Sequence, residues 1–195
     1  MKKTLYWLCV ALILSGVTAG CGNKKAAKNA ETPEPAEIET YFQAIDKYLV
    51  EQIGSQYLPG EICIPYHDYI AVDESNAEDI HVWGDWWIDN LNVAGDTLKF
   101  VSGGSHPGLM HVRQTPEGHF EVTSFEVVED GSLSLPSARR IFGDKYEAWQ
   151  AANSDSDKRE RVRGEAIALY ARRNKLPVKF YQDYGWPAVT LPAID

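Results

Sequence analysis

The apolar positions change period twice along this chain, and each change marks a change of element. Ile38, Tyr41, Phe42, Ile45, Tyr48, Leu49 and Ile53 recur at three- and four-residue steps, one stripe on a helix that ends near Gly54. Leu58-Pro59-Gly60 then reads as a turn. β-Branched and aromatic residues take over in segments 62–72, 80–91, 97–102, 109–114 and 119–128. The breaks between them carry turn chemistry: Asp73-Glu74-Ser75-Asn76, Ala94-Gly95-Asp96, Gly103-Gly104 with Pro107-Gly108, and Pro116-Glu117-Gly118. Helical period returns after Asp130-Gly131. Ala138, Ile141, Phe142, Tyr146 and Trp149 form one stripe, with Pro136 in a first turn and Ser134 as a cap. A polar break at Asn153-Ser154-Asp155-Ser156 precedes a further helix, with Val162, Ala166, Leu169 and Tyr170 as its buried face and Asn174 at its end. Residues 178–191 read as an extended, aromatic-rich segment.

A helix, then strands, then helices predicts an α+β fold: an antiparallel meander with an N-terminal helix and two C-terminal helices packed on one face of it. The order of elements over residues 38–128 resembles the cystatin-like or nuclear-transport-factor-like cone, in which a helix lies on a curved antiparallel sheet. The two helices after the sheet depart from the usual order of that family.

Ahead of the domain the pattern differs. Met1-Lys2-Lys3 is a short positive start, residues 5–14 are almost wholly apolar, and small residues 15–20 lead to Cys21. That layout predicts a secretory signal; the apolar run falls short of the roughly 20 residues a spanning helix needs. Thr18-Ala19-Gly20-Cys21 resembles the lipobox of bacterial lipoproteins, including the small lipoproteins of the Bacteroidetes, with Thr18 where that family usually has leucine. The resemblance implies cleavage before Cys21, lipid on its thiol and new amino group, and attachment to the cell envelope. Each buried acyl methylene is worth about 0.8 kcal/mol. Gly22, where an aspartate would signal inner-membrane retention, implies outer-membrane sorting by the same analogy. Residues 22–36 hold no large apolar side chain and two prolines, a spacer between lipid and domain. Residues 37–195 are expected to fold as one domain.

Charge and cysteine content narrow the partners. Residues 1–20 hold Lys2 and Lys3 but no acid, so removing them takes the formal charge from -9 to about -11. So acidic a surface repels nucleic acid, which excludes that partner, and it makes lipid on Cys21 rather than a basic patch the membrane contact. With Cys9 in the signal and Cys21 lipidated, Cys63 has no partner for an internal disulfide and reads as a small core residue.

The densest chemistry lies at residues 79–90. On a regular strand Ile80, Val82, Gly84, Trp86 and Ile88 share one face, a core face. His81, Trp83, Asp85, Trp87 and Asp89 share the other. Two readings follow for that second face. Flat aromatics among carboxylates build a site for a sugar or other polar ring; alternatively helices cover the face and Trp83 and Trp87 are core, which is the commoner outcome. The segment 102–111 adds Ser105, His106 and His111, which invite a nucleophile-and-base reading, but no nucleophile-elbow pattern is present and a glycine-rich hairpin explains the same residues better. His106 and His111 join Trp83, Asp85 and Trp87 as candidate ligand-binding residues. A cone-type isomerase would draw its base and donor from Asp68, Asp85, Tyr66 and Tyr69. The histidines His67, His81, His106, His111 and His119 lie on different segments without ligand spacing, so no metal site, cofactor or catalytic residue is assigned, although neighbouring strands can bring two histidines together. In Asp183-Tyr184-Gly185-Trp186-Pro187 the aromatics read as a strap closing the core, or else as a lid. The expectation is a lipid-anchored envelope protein, a binding or structural module for a small molecule, glycan or envelope protein, with a pocket-carboxylate enzyme as the alternative.

Overall fold

The structure is a computed structural model and describes residues 40–194. The expected signal, Cys21, the spacer and Ile38 lie outside the described residues. Helix α1 (Tyr41–Tyr48) opens at a capping box: Gln43 Oε1 accepts from the Thr40 amide at 2.7 Å. The helix runs on through a π turn (Leu49–Ile53) into a 3₁₀ turn (Gly54–Gln56). Gly54 is needed there because a Cβ would stand 2.6 Å from the Cys63 sulfur. Four long strands follow, β1 (Ile62–Asp73), β2 (Ile80–Ala94), β3 (Thr97–Gln114) and β4 (Phe120–Val127). Each pairs antiparallel with the next, giving the expected meander. Helices α2 (Ser134–Phe142), α3 (Tyr146–Ser154) and α4 (Ser156–Arg173) come next. Two short strands end the chain, β5 (Phe180–Gln182), which pairs parallel to the start of β3, and β6 (Val189–Thr190). The fold is α+β, a mostly antiparallel mixed sheet with an N-terminal helix and C-terminal helices. No described helix is long and apolar enough to cross a membrane.

Four local expectations are corrected. The glycines at 103–108 do not turn the chain; β3 runs straight through them. They serve close approach instead: a Cβ on Gly103 would meet the Ile88 carbonyl at 1.9 Å, and one on Gly108 the Glu126 carbonyl at 2.1 Å. The stripe 138–149 is split by a 3₁₀ turn at Gly143–Lys145, where Gly143 takes φ 51°. Its residues still form one buried cluster with Leu109 and Val128. Ser134 is not the cap of α2, which begins after Leu133 without a side-chain cap. The buried line of α4 is Arg163, Gly164, Ile167, Ala168 and Ala171, while Val162, Ala166, Leu169 and Tyr170 are half-buried. A charged residue on the apolar line hid the true face.

The helices do not share one face of the sheet. Ile45, Leu49 and Ile53 pack with Ile80, Val82, Trp86, Ile88, Met110 and Val112. Those strand residues alternate with the ones facing α2 to α4, since Leu109 and half-buried Trp83 pack with α2 and α3, and Leu91, Ile62 and Ile64 with Ile167 of α4. The N-terminal helix therefore covers one face and the C-terminal helices the other. The reason lies in β2, which carries an apolar set at both parities and so must be covered on both sides.

Candidate functional site

Strand β2 places its residues as its alternation predicts. Trp86 is fully buried on the α1 face, its indole lying over the Gly84–Gly108 cross-strand pair and donating to the Gly108 carbonyl at 3.3 Å. Any Cβ at Gly84 would come within 2.8 Å of that ring. On the other face, Trp83, Asp85, Trp87 and Asp89 stand under the C-terminal helices, and each goes to a different environment.

Trp83 is half-buried against α2 and α3. Its indole N–H donates to the Ile141 carbonyl at 2.9 Å, and the Lys145 ammonium lies 4.4 Å from its ring. It is a packing residue, as the covered-face reading expects. Asp85 is buried and accepts from the Ser105 hydroxyl. Burial pushes its carboxyl above the ordinary value, against the pull of that hydroxyl. Beside it, among Tyr66, Asp68, Trp87 and Arg159, is a gap of about 10 Å³, room for roughly one water. Of the set that an isomerase would need, Asp68 is engaged by Lys158 at 2.7 Å, Tyr66 is buried, and Tyr69 pairs with Gly84, on the opposite face from Asp85. These groups do not converge on a substrate-sized space.

Trp87 and Asp89 do reach one. A cleft of about 340 Å³ lies between β2, β3, α4 and the 183–187 segment. Trp87 stacks on Tyr66 (5.7 Å between centroids, 15° between planes) and Phe100 lines the wall beside it. The rim is Tyr184 and Trp186, 95% and 71% exposed. The aromatics at 184 and 186 therefore do not close the core; only Tyr181 of that stretch is buried. Gly185, at φ 77°, turns the segment, and Gln182 Nε2 donates to the Trp186 carbonyl at 2.8 Å, which holds the turn.

Behind the aromatics is an ion triad, buried at Asp89 and Arg163 and partly exposed at Asp183. Arg163 donates through Nε to Asp89 at 2.7 Å and through both terminal nitrogens to Asp183 at 2.8 and 2.7 Å. It thereby ties α4, β2 and the C-terminal segment together. Burial raises the Asp89 carboxyl to about 6, even though the Arg163 charge beside it pulls the other way. Burial alone would lower the Arg163 guanidinium, but the Asp183 hydrogen bond and the Asp89 charge together outweigh it and raise it. Arg163 stays charged, and Asp89 carries the cost of desolvation. One turn earlier on α4, Arg159 lies 5.4 Å from the Trp87 ring, and its guanidinium makes no hydrogen bond or ion pair among the described residues. Its guanidinium is free to donate into the cleft.

The two candidate histidines separate. His106 points to the α1 face, where Tyr57 Oη meets its Nε2 at 2.9 Å and burial pushes its pKa down. Burial there disfavours the charged imidazole. His111 stands on the other face, directly opposite His81 in the β2–β3 register, and the two rings lie 4.6 Å apart. Asp79 bridges them: Oδ2 lies 2.9 Å from His81 Nε2 and Oδ1 lies 2.8 Å from His111 Nδ1. These hydrogen bonds hold the Asp79 carboxyl below its ordinary value. The three side chains are a group whose donor atoms could hold a metal ion. Cys63 is half-buried, and burial raises its thiol, which disfavours the thiolate.

Arg159, Arg163, Phe100 and Asp79 were missed by sequence reasoning. The spacing of Arg163, Ile167 and Ala171, an arginine in line with two buried apolar residues at four-residue steps, was the available signal for Arg163. For Asp79 the signal was its place two residues before His81, at the entry to the strand. Compared with known proteins, the chain matches no family model, no curated protein and no solved structure.

Proposed function

We propose that this chain is a lipid-anchored protein of the bacterial cell envelope, attached through Cys21 and sorted to the outer membrane, whose domain binds a small polyhydroxylated ring such as a glycan unit. The observation that carries the binding reading is the cleft above Trp87. It joins aromatic walls at Tyr66, Trp87 and Phe100, two exposed rim aromatics and an arginine whose guanidinium lies against Trp87 with no hydrogen bond among the described residues. Aromatic faces cover the apolar face of a sugar ring, while Arg159 and Glu160 meet hydroxyls. An acidic surface and a spacer-borne tether suit a domain that works in solution beside the membrane rather than upon it. The anchor rests on the signal-like start and the Thr18-Ala19-Gly20-Cys21 resemblance.

The test is saturation-transfer NMR of the full chain in mild detergent against a panel of neutral and acidic saccharides. A binder should emerge, and Trp186→Ala, an exposed position, should weaken it about tenfold or more. Silence across the panel at millimolar saccharide, or equal binding by Trp186→Ala, removes the cleft reading. Independently, labelled palmitate should enter the wild type but not Cys21→Ser. Incorporation into the variant would remove the anchor.

A further inference from the structure

We infer that Asp79, His81 and His111 form a binding site for a divalent transition-metal ion of the zinc type, with Glu126 and Arg140 as its outer support. The site lies on the same face as the cleft but at the other end of β2, beyond Trp83, and the inference does not rest on the cleft reading.

The donor set is two imidazoles and a carboxylate, the combination that favours zinc and its first-row neighbours over magnesium or calcium. The fold brings the donors together from two strands: cross-strand pairing sets His81 against His111, and Asp79 reaches both from the turn entering β2. All three donor atoms lie within 4.8 Å of one another. Tetrahedral ligation at about 2.0–2.1 Å places donors about 3.3 Å apart. The hydrogen-bonded spacings of 2.8 and 2.9 Å lie close to that ligand spacing.

The turn that presents Asp79 is already fixed. The Asp79 amide donates to the Asn76 carbonyl at 3.1 Å, Glu78 to the Asn76 side chain at 3.1 Å, and the Gln114 amide of β3 to the Ala77 carbonyl at 3.1 Å. Beyond the donors, a supporting chain continues. His111 Nε2, the nitrogen turned away from Asp79, faces Glu126 Oε1 at 3.4 Å, and Arg140 donates to Glu126 Oε2 at 2.9 Å. A carboxylate on the far nitrogen fixes the tautomer and orientation of a ligating imidazole and raises its basicity. His81 is positioned differently, by edge-to-face packing on Trp83 at 5.5 Å.

Local charge suits a cation. Arg140 is matched by Glu126, and Lys145 by Asp144 at 2.8 Å, so among the described residues Asp79 meets the two histidines but no lysine or arginine, and Asp73 stands opposite His81 in the β1–β2 register. His81 and Asp79 are partly exposed (32% and 43%), so an ion can enter from solvent and keep water in its remaining positions. Three protein ligands with an open position is the arrangement of exchangeable or reactive sites rather than closed structural ones.

The test is calorimetric titration of EDTA-stripped full chain in mild detergent with Zn²⁺, and with Co²⁺ read by its visible absorption. One ion per chain at micromolar or tighter affinity is expected, with a cobalt spectrum of nitrogen and oxygen ligation and a rise in Tm on zinc addition. His81→Ala and His111→Ala should each weaken binding by more than about tenfold, and Glu126→Gln by about tenfold. His106→Ala should leave it unchanged. If a variant fails to fold, imidazole ¹⁵N shifts of the wild type keep the question open to measurement, since zinc must move His81 and His111 and spare His106. No saturable site below millimolar zinc, or binding that survives the double variant His81→Ala/His111→Ala, overturns the inference and leaves a metal-free His–Asp–His network.

Discussion

The two faces of β2 use different physics to hold the same strand. Toward α1 the centre is apolar, and its polar groups sit around that centre: Asn90 donates to the Gly54 carbonyl, His106 meets the Tyr57 hydroxyl, and His67 lies 3.4 Å from Asp46. Toward α4 the strand buries Asp85 and Asp89, and the second is held only because Arg163 comes with it. A carboxylate that costs energy to bury is a poor way to build a core and a good way to fix one helix and one C-terminal segment in a unique place. The cleft lies on the costly side, rimmed by the segment that Arg163 ties down.

That contrast can be broken from either side. The largest effect is expected on the apolar face. Trp86→Ala removes a fully buried indole from a slot made by two glycines, and should cost about 5 kcal/mol in urea unfolding. A loss near 1 kcal/mol would mean that the face collapses around the gap. Next comes Arg163→Met, which leaves Asp89 buried without its partner and should cost about 3–4 kcal/mol. Hydrogen exchange should show residues 183–187 opening in that variant; unchanged protection there would detach the triad from the cleft.

The sign of the charge effect sharpens the comparison further. The folded Asp89 carboxyl is raised from 3.8 to about 6, so the folded chain holds its proton where the unfolded chain has lost it. Its contribution to stability is complete below about pH 4 and is lost as pH rises through about 6. Asp89→Asn, which imitates the protonated form, should therefore lose about 2–3 kcal/mol of relative standing against wild type on going from pH 7 to pH 4. A flat difference between the two proteins over that range would mean the pair is ionised throughout. The smallest effect belongs to the boundary between the regions: Trp83→Phe keeps the packing under Lys145 but leaves the Ile141 carbonyl without its donor, at about 1 kcal/mol in the same unfolding measurement.

Much of this architecture is legible in the letters. The three- and four-residue steps at 41–53 mark the first helix, the alternation at 80–88 marks the core face of β2, and Gly95 and Gly118, both at positive φ, sit in the turns expected of them. At 103–108 the same residue type misleads, because glycine supplies either a turn or a close backbone approach, and only the neighbours of Gly103 and Gly108 decide between them. The helix after 156 misleads for a related reason: Arg163 looks like solvent-facing charge until Asp89 and Asp183 arrive from 74 and 20 residues away. Of the candidate site, Trp87 opens on the cleft, Trp83 and Asp85 are covered, and His106 and His111 lie on opposite faces.

Sequence alone determined the type and order of most elements, the turn at 103–108 and the single helix over 138–149 excepted, because periodicity is a local property that burial imposes on a helix or strand wherever it later docks. It also determined which residues of β2 share a face, since a pleated strand leaves no other choice. Tertiary structure decided what each face meets: the two-sided placement of the helices, the pairing of His81 with His111, the capture of Asp89 by Arg163, and the exposure of Trp186 beside a half-buried Trp87. Those are contacts between distant segments, and period specifies the side on which a residue stands but not the partner that comes to meet it.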